Sequence, residues 1–199
     1  MDVEQSKLLL NEISGKLRAE PIETERLLLR CYRESDFPDY CELALQKEQQ
    51  RLSGNAAIST VEEAGELFHK WYLPDEDRPP MSFAVELKEE RRAVGSFTLG
   101  AHPMVMEHPD TARLRGVCLS CTLNENYWRQ GIMKELFRAV IPWMFETAGL
   151  DFVNAGYFDF NVASKRLQES VGFRPWISYD FDLFGETVIV HEGILFRNE

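Results

Sequence analysis

The 199-residue sequence contains no Gly-x-x-x-x-Gly-Lys-Ser/Thr and no Gly-x-Gly-x-x-Gly, so neither a P-loop nor a dinucleotide-binding turn is supported. Gly-x-Ser-x-Gly is missing as well, which removes the serine-hydrolase elbow. Basic residues are scarce: 22 Lys and Arg stand against 33 Asp and Glu, for a formal net charge of -11. Phosphate backbones are bound by basic patches, so the balance argues against a nucleic-acid partner and mildly favours a cationic one, such as an amine. No apolar run approaches the roughly 18 residues that span a bilayer. Nothing resembles a secretion leader, and four cysteines are few for a disulfide scaffold. The expectation is a soluble protein of the reducing cytoplasm, with no membrane partner.

The chain holds 44% apolar and 12% aromatic side chains, enough for one substantial core. Residues 1–18 place Leu9, Leu10, Ile13 and Leu17 on one helical face, an amphipathic leader that packs on the core or on a second subunit. A first strand is expected over 24–30, and a helix start at Ser35-Asp36-Phe37-Pro38. The spacing predicts loop over 51–58 and a helix from Ser59 or Thr60, whose buried face is Val61, Ala64, Phe68 and Trp71. Residues 74–80 read as a turn-rich connection, 81–87 and 93–99 as a hairpin, and 102–113 as a surface loop. An apolar strand over 117–123 runs into a helix marked by Ile132, Met133, Leu136, Phe137, Val140, Ile141, Met144 and Phe145. A second strand–helix unit covers 152–171, and 177–183 with 187–196 close the chain as a hairpin. The sum is a mixed α/β sheet.

Cys118 and Cys121 have the spacing of a redox or zinc pair. On a strand, however, an odd separation sends the two sulfurs to opposite faces, and no second pair exists. They read as packing cysteines. His69, His102, His108 and His191 show no ligand spacing, so no metal is expected.

What remains is the turn Tyr127-Trp128-Arg129-Gln130-Gly131-Ile132-Met133-Lys134-Glu135. A glycine at a helix mouth permits close approach, and the first helical NH groups lack intrahelical partners, so the turn suits a phosphate. With it goes the helix beginning Asn161-Val162-Ala163-Ser164, which ends at Gly172-Phe173. These two segments resemble the acetyl-CoA-binding motifs of the GNAT superfamily of N-acyltransferases, and most of all its RimJ/RimL-type branch. The opening Ile22-Glu23-Thr24-Glu25-Arg26-Leu27-Leu28-Leu29-Arg30 is similar to the first strand of that branch, and the likeness covers about residues 22–196.

The resemblance implies a GNAT-like, mixed but mostly antiparallel sheet of six to seven strands flanked by helices. It implies one domain over 21–199, with residues 1–20 as an N-terminal helical extension. It implies acetyl-CoA as co-substrate, and acetyl transfer to a primary amine by direct attack. The diphosphate would rest on main-chain NH groups among Arg129, Gln130, Gly131, Ile132, Met133 and Lys134. The pantetheine arm would pair with main-chain groups near Leu123, where the central strand splays from the next. Asn161 is similar to the asparagine that bonds the pantetheine, and Ser164 to the serine that protonates the departing thiolate. The acceptor falls into one of three classes: a peptide N-terminus, an aminoglycoside or a polyamine-like amine. The exposed sheet edges leave room for a homodimer.

The sequence also departs from the family. Gln168 stands where many members have a tyrosine acid, and Cys118 where relatives of this branch often have a carboxylate. The general base is therefore open among Glu86, Asp159, His102 and a water relay. These departures motivate the alternative of a catalytically weak or inactive CoA-binding sensor or assembly protein.

Overall fold

The computed structural model describes residues 3–54, 57–74 and 80–198. Helix α1 (Val3–Ala19) precedes strands β1 (Ile22–Glu23) and β2 (Leu27–Cys31), then helices α2 (Phe37–Ala44), α3 (Lys47–Ser53) and α4 (Val61–Leu67). Strands β3 (Ser82–Leu87) and β4 (Arg92–Gly100), the short helix α5 (Pro103–Met106) and strand β5 (Gly116–Leu123) follow. The chain ends with α6 (Ile132–Glu146), β6 (Phe152–Phe158), α7 (Val162–Ser170), β7 (Arg174–Leu183) and β8 (Glu186–Phe196). The eight strands form one sheet in the order β1-β2-β3-β4-β5-β6-β8-β7, antiparallel except where β5 meets β6.

The sheet has one strand more than the six to seven expected, because the opening run is split at Thr24. The Thr24 hydroxyl accepts from Leu27 N (3.0 Å), turning the chain so that β1 pairs back on β2. The Glu135 carboxylate of α6 fixes this corner by accepting from Thr24 Oγ1 (2.6 Å), Arg26 N (3.0 Å) and Arg26 Nε (2.6 Å). Burial works to raise the Glu135 pKa, but these donors hold it below the ordinary carboxylate value.

On one face of the sheet, α1 and α6 share a core. Leu9, Ile13 and Leu17 from α1 join Ile132, Leu136 and Met144 from α6 over Phe97, Val117 and Leu119. The leader therefore packs on the core of its own chain. The opposite face carries α2 and α4, with Phe68 fully buried against the rings of Tyr32 and Tyr40. The expected loop over 51–58 is wrong in its first part: α3 covers Lys47–Ser53 and stops at Gly54, whose φ is 67°, while residues 55 and 56 lie outside the described residues. Its polar sequence shows no apolar period. Most of the 74–80 connection also lies outside the described residues.

The start of α4 is Thr60, closed by a capping box in which Glu63 N donates to Thr60 Oγ1 (3.1 Å) and Thr60 N to Glu63 Oε2 (3.3 Å). Ala64 and Phe68 are buried as expected, but Val61 and Trp71 are exposed. The helix widens into a π turn over Phe68–Tyr72, with Leu73 N bonding Phe68 O (3.2 Å), so the next inward position falls on Tyr72 in place of Trp71. The expected surface loop over 102–113 also packs inward: Val105 and Met106 are buried over Phe152 and Ile194. A single helical turn is too short to show a period.

Candidate active site

Strands β5 and β6 pair only through Gly116–Phe152, Val117–Val153 and Cys118–Asn154. Beyond these, β5 stays with β4 as far as Leu123, and β6 stays with β8 as far as Phe158, so the two strands splay apart. Asn124 N donates to Val94 O (2.9 Å), so the even-numbered positions of this stretch face β4. By strict alternation the NH and C=O of Leu119, Cys121 and Leu123 aim the other way, into the opening. A cleft of about 290 Å³ occupies the gap.

The cleft passes through the sheet. Val153 and Ala155 face the α6 core, whereas Phe152 faces α5 with Ile194. Gly156 and its cross-strand neighbour Glu192 continue the α5 face. Ser164 and Gln168 of α7 line the cleft on the α6 side, and Glu192, Tyr179 and His102 on the other.

At the head of the cleft, the Trp128 indole donates to Leu123 O (2.7 Å), tying the turn to the end of β5 and occupying that carbonyl. Arg129 (φ 63°) and Gly131 (φ 77°) are both left-handed, and Gly131 is the residue that precedes α6. Arg26 Nη1 donates to Gln130 O (3.1 Å) and so holds the turn against the β1–β2 corner. The first donor across the turn is Glu135 N, to Gly131 O (3.0 Å). The NH groups of Ile132, Met133 and Lys134 come before it, at the positive end of a 15-residue helix. The side chains of Ile132 and Met133 are core. A Cβ on Gly95 would come within 2.4 Å of Thr122 O and 2.9 Å of Met133 Cε, so the glycine in β4 serves the close approach of β5 first and the methionine second. Arg129 and Gln130 are exposed.

Asn161 is the cap of α7: its Oδ1 accepts from Ser164 N (3.0 Å), and its Nδ2 donates to Leu52 O (3.1 Å), drawing α3 to the cleft. The Ser164 hydroxyl, half-buried, accepts a long bond from Gln168 Nε2 (3.5 Å). Gln168 is buried, with Oε1 packed on Gly193, where a Cβ would come within 2.4 Å.

The two central cysteines face opposite ways, as their spacing predicts: Cys118 packs with the α5 cluster and Cys121 with the α6 core. Burial pushes both thiols up to about 12. They stay protonated at neutral pH, so neither supplies the thiolate that a covalent acyl intermediate would need.

Of the bases left open, Glu86 is held by Arg30 Nε at 2.6 Å. Asp159 is exposed and caps Phe160 N (2.9 Å). Only His102 lines the cleft. The group that sequence reasoning missed is Glu192. It is buried, its Oε1 accepting from the Tyr179 hydroxyl (3.1 Å) and its Oε2 from Asn154 Nδ2 (2.8 Å). A Cβ on Gly156 would come within 2.8 Å of Oε1, so the glycine opens the space it fills. Burial pushes its carboxyl above the ordinary range, against the Asn154 and Tyr179 donors. Its signal was present in the sequence: Glu192 stands between Val190 and Ile194 at an inward position of an alternating strand.

The sequence matches the acetyltransferase (GNAT) domain family over residues 26–174. It is similar to the uncharacterized N-acetyltransferase YoaA of Bacillus subtilis (strain 168), 24% identical over 153 residues, or 77% of this chain and 82% of that one. Among solved structures, the fold is similar to the acetyltransferase (GNAT family) of Bacillus anthracis, with a TM-score of 0.76 at 18% identity over 90% of this chain and 99% of that one. It is also similar to spermidine N-acetyltransferase of Vibrio cholerae in complex with CoA and spermine, with a TM-score of 0.67 at 15% identity over 88% of this chain and 98% of that one.

Proposed function

We propose that this chain, which belongs to the acetyltransferase (GNAT) family, transfers acetyl from acetyl-CoA to a primary amine by direct attack, on the pattern of the RimJ/RimL-type branch. The observation that carries the proposal is the splay of β5 from β6, with the mouth of α6 at one end and Ser164 on its wall.

Residues of the chain fit the cofactor by position. The NH groups of Gly131, Ile132, Met133 and Lys134 hold a diphosphate by hydrogen bonds and the helix dipole, without a side chain of their own; Arg129 and Gln130 shape the turn. The opening edge of β5 takes an extended amide-bearing arm as a further strand would be taken, through Leu119, Cys121 and Leu123 NH. Leu123 O is left out of this pairing because the Trp128 indole occupies it. Asn161 sets α7 against the arm through its cap. Acetyl-CoA supplies an activated acetyl thioester at the centre of the slot. One of the β5 NH groups polarises the carbonyl and holds its negative charge during attack, and the Ser164 hydroxyl donates a proton to the leaving sulfur.

The acceptor is a peptide N-terminus, a polyamine or an aminoglycoside, all cations suited to a chain of net charge -11. The test is acetyl-CoA-dependent release of CoA thiol with an alanine-initiated peptide, spermidine and kanamycin in parallel. At least one acceptor should turn over, and Ser164→Ala should lower kcat by about 100-fold or more while leaving the KM for acetyl-CoA within about twofold. Binding of acetyl-CoA without turnover of any acceptor would replace this reading with that of a CoA-binding sensor.

A further inference from the structure

We infer that Glu192 is the general base, and that the acceptor amine enters from the α5 face of the sheet, between Glu192, Tyr179 and His102. The inference rests on the acetyltransferase reading above and names the group which that reading leaves without a residue.

The geometry carries it. Glu192 is a carboxylate on the wall of the cleft, on the face of the sheet opposite Ser164. A group that takes a proton from the incoming nitrogen and a group that gives one to the departing sulfur belong on opposite sides of the reacting carbon, and the gap between β5 and β6 joins these two faces. Among the described residues no Lys or Arg is bonded to Glu192 to keep it ionised and inert: its bonds come from a neutral hydroxyl and a neutral carboxamide. Glu86, by contrast, is locked to the Arg30 guanidinium at 2.6 Å. Among the described residues, the remaining titratable groups facing it are the Cys118 thiol from β5 and the His102 ring ahead of α5. That ring stacks on Tyr179 with centroids 5.6 Å apart, and its buried Nδ1 has no partner among the described residues. The entry side thus offers an incoming ammonium a carboxylate, with the His102 ring beside it on the wall of the cleft.

In the step, the ammonium R–NH3+ gives one proton to a Glu192 oxygen and becomes R–NH2. Its lone pair forms the C–N bond to the thioester carbonyl carbon, whose π electrons move to oxygen. As the carbonyl re-forms, the C–S bond breaks and the electron pair leaves on sulfur. The nitrogen loses its second proton to water on the Glu192 side, and Ser164 Oγ gives its proton to the sulfur and regains one from water, giving the amide and CoA thiol. Glu192 then releases its proton to water. Tyr179 and Asn154 are positioning residues, which orient the carboxylate without touching the acceptor.

The test is kcat against pH for the wild type, Glu192→Gln and Tyr179→Phe, with the acceptor that turns over in the panel above. Wild-type kcat should fall as pH drops through a midpoint above the usual carboxylate range. Glu192→Gln should lose about 100-fold or more in kcat and with it that limb, while acetyl-CoA still raises its thermal midpoint as in the wild type. Removing the Tyr179 hydroxyl deletes a donor that favours the ionised form, so the midpoint of Tyr179→Phe should move upward. Glu192→Gln retaining kcat within about threefold and an unchanged profile would overturn the assignment. If the wild type turned over none of the three acceptors, the acetyltransferase reading itself would fail, which is a separate outcome.

Discussion

At the scale of single residues, the site pairs a half-buried serine with a buried glutamate and surrounds them with groups that do not compete. The thiols of Cys118 and Cys121 are pushed up to about 12 and stay neutral. Glu192 has a cost for the fold. Its folded-state pKa is raised by burial, so the folded protein holds this proton to higher pH than the unfolded chain does. The stability linked to it is complete below the unfolded carboxylate range and is lost as pH rises through the folded value. Glutamine has the same shape and does not titrate. Glu192→Gln should therefore be at least as stable as the wild type at pH 8 and should gain on it as pH rises from 5 to 8, read from urea midpoints at each pH. A variant less stable at pH 8 than the wild type would show that the carboxylate is held by the fold and not strained by it. That Ser164 and Gln168 share the face that lines the cleft was legible from their spacing on one helix, while a catalytic part for Ser164 rests on the family resemblance. The inward position of Glu192 was legible between Val190 and Ile194, but its surroundings were not, because its partners Asn154 and Tyr179 stand 38 and 13 residues away and only the sheet register brings them together.

At the scale of elements, the site depends on two fixed corners. Glu135 pins the first turn of α6 to the β1–β2 corner through Thr24 and Arg26. On the other face, Arg30 is buried with Asp36 on Nη1 and Nη2 (2.7 and 2.8 Å) and Glu86 on Nε (2.6 Å), which sets the approach of α2 to the sheet. Removing Asp36 takes the acceptor from Arg30 Nη2 in the interior and leaves Glu86 as the one carboxylate on the guanidinium. Asp36→Ala should cost about 3 kcal/mol in equilibrium urea unfolding, whereas a loss below about 1 kcal/mol would mean that water replaces the carboxylate. The long periodic elements were legible: α1, α6 and the alternating strands follow from spacing alone. The misses have physical causes. The π turn at Phe68–Tyr72 shifts the inward position by one residue, α3 is polar, and α5 is a single turn whose burial is decided by Phe152 and Ile194 across the sheet.

At the scale of the whole molecule, one sheet does two jobs. Its α1–α6 face is a continuous core, and the parallel junction of β5 with β6, limited to three residue pairs, leaves the opening that the site occupies. No helix among the described residues is long and apolar enough to cross a membrane. The overall charge says that a cation is welcome, but it does not say where; the cleft adds a place, and Glu192 a direction of approach. The central claim is that the α6 mouth and the β5–β6 opening hold acetyl-CoA, and thermal unfolding with and without it tests this most directly. At about 100 times Kd, a ligand bound only to the folded state adds about 2.7 kcal/mol, which is about 5–10 °C for a domain of this size. The wild type should show that rise, and Gly131→Glu, which places a carboxylate and a Cβ at a left-handed position in the anion-binding turn, should fold and lose it. An unchanged wild-type midpoint at millimolar acetyl-CoA, or an equal rise in Gly131→Glu, would contradict the account.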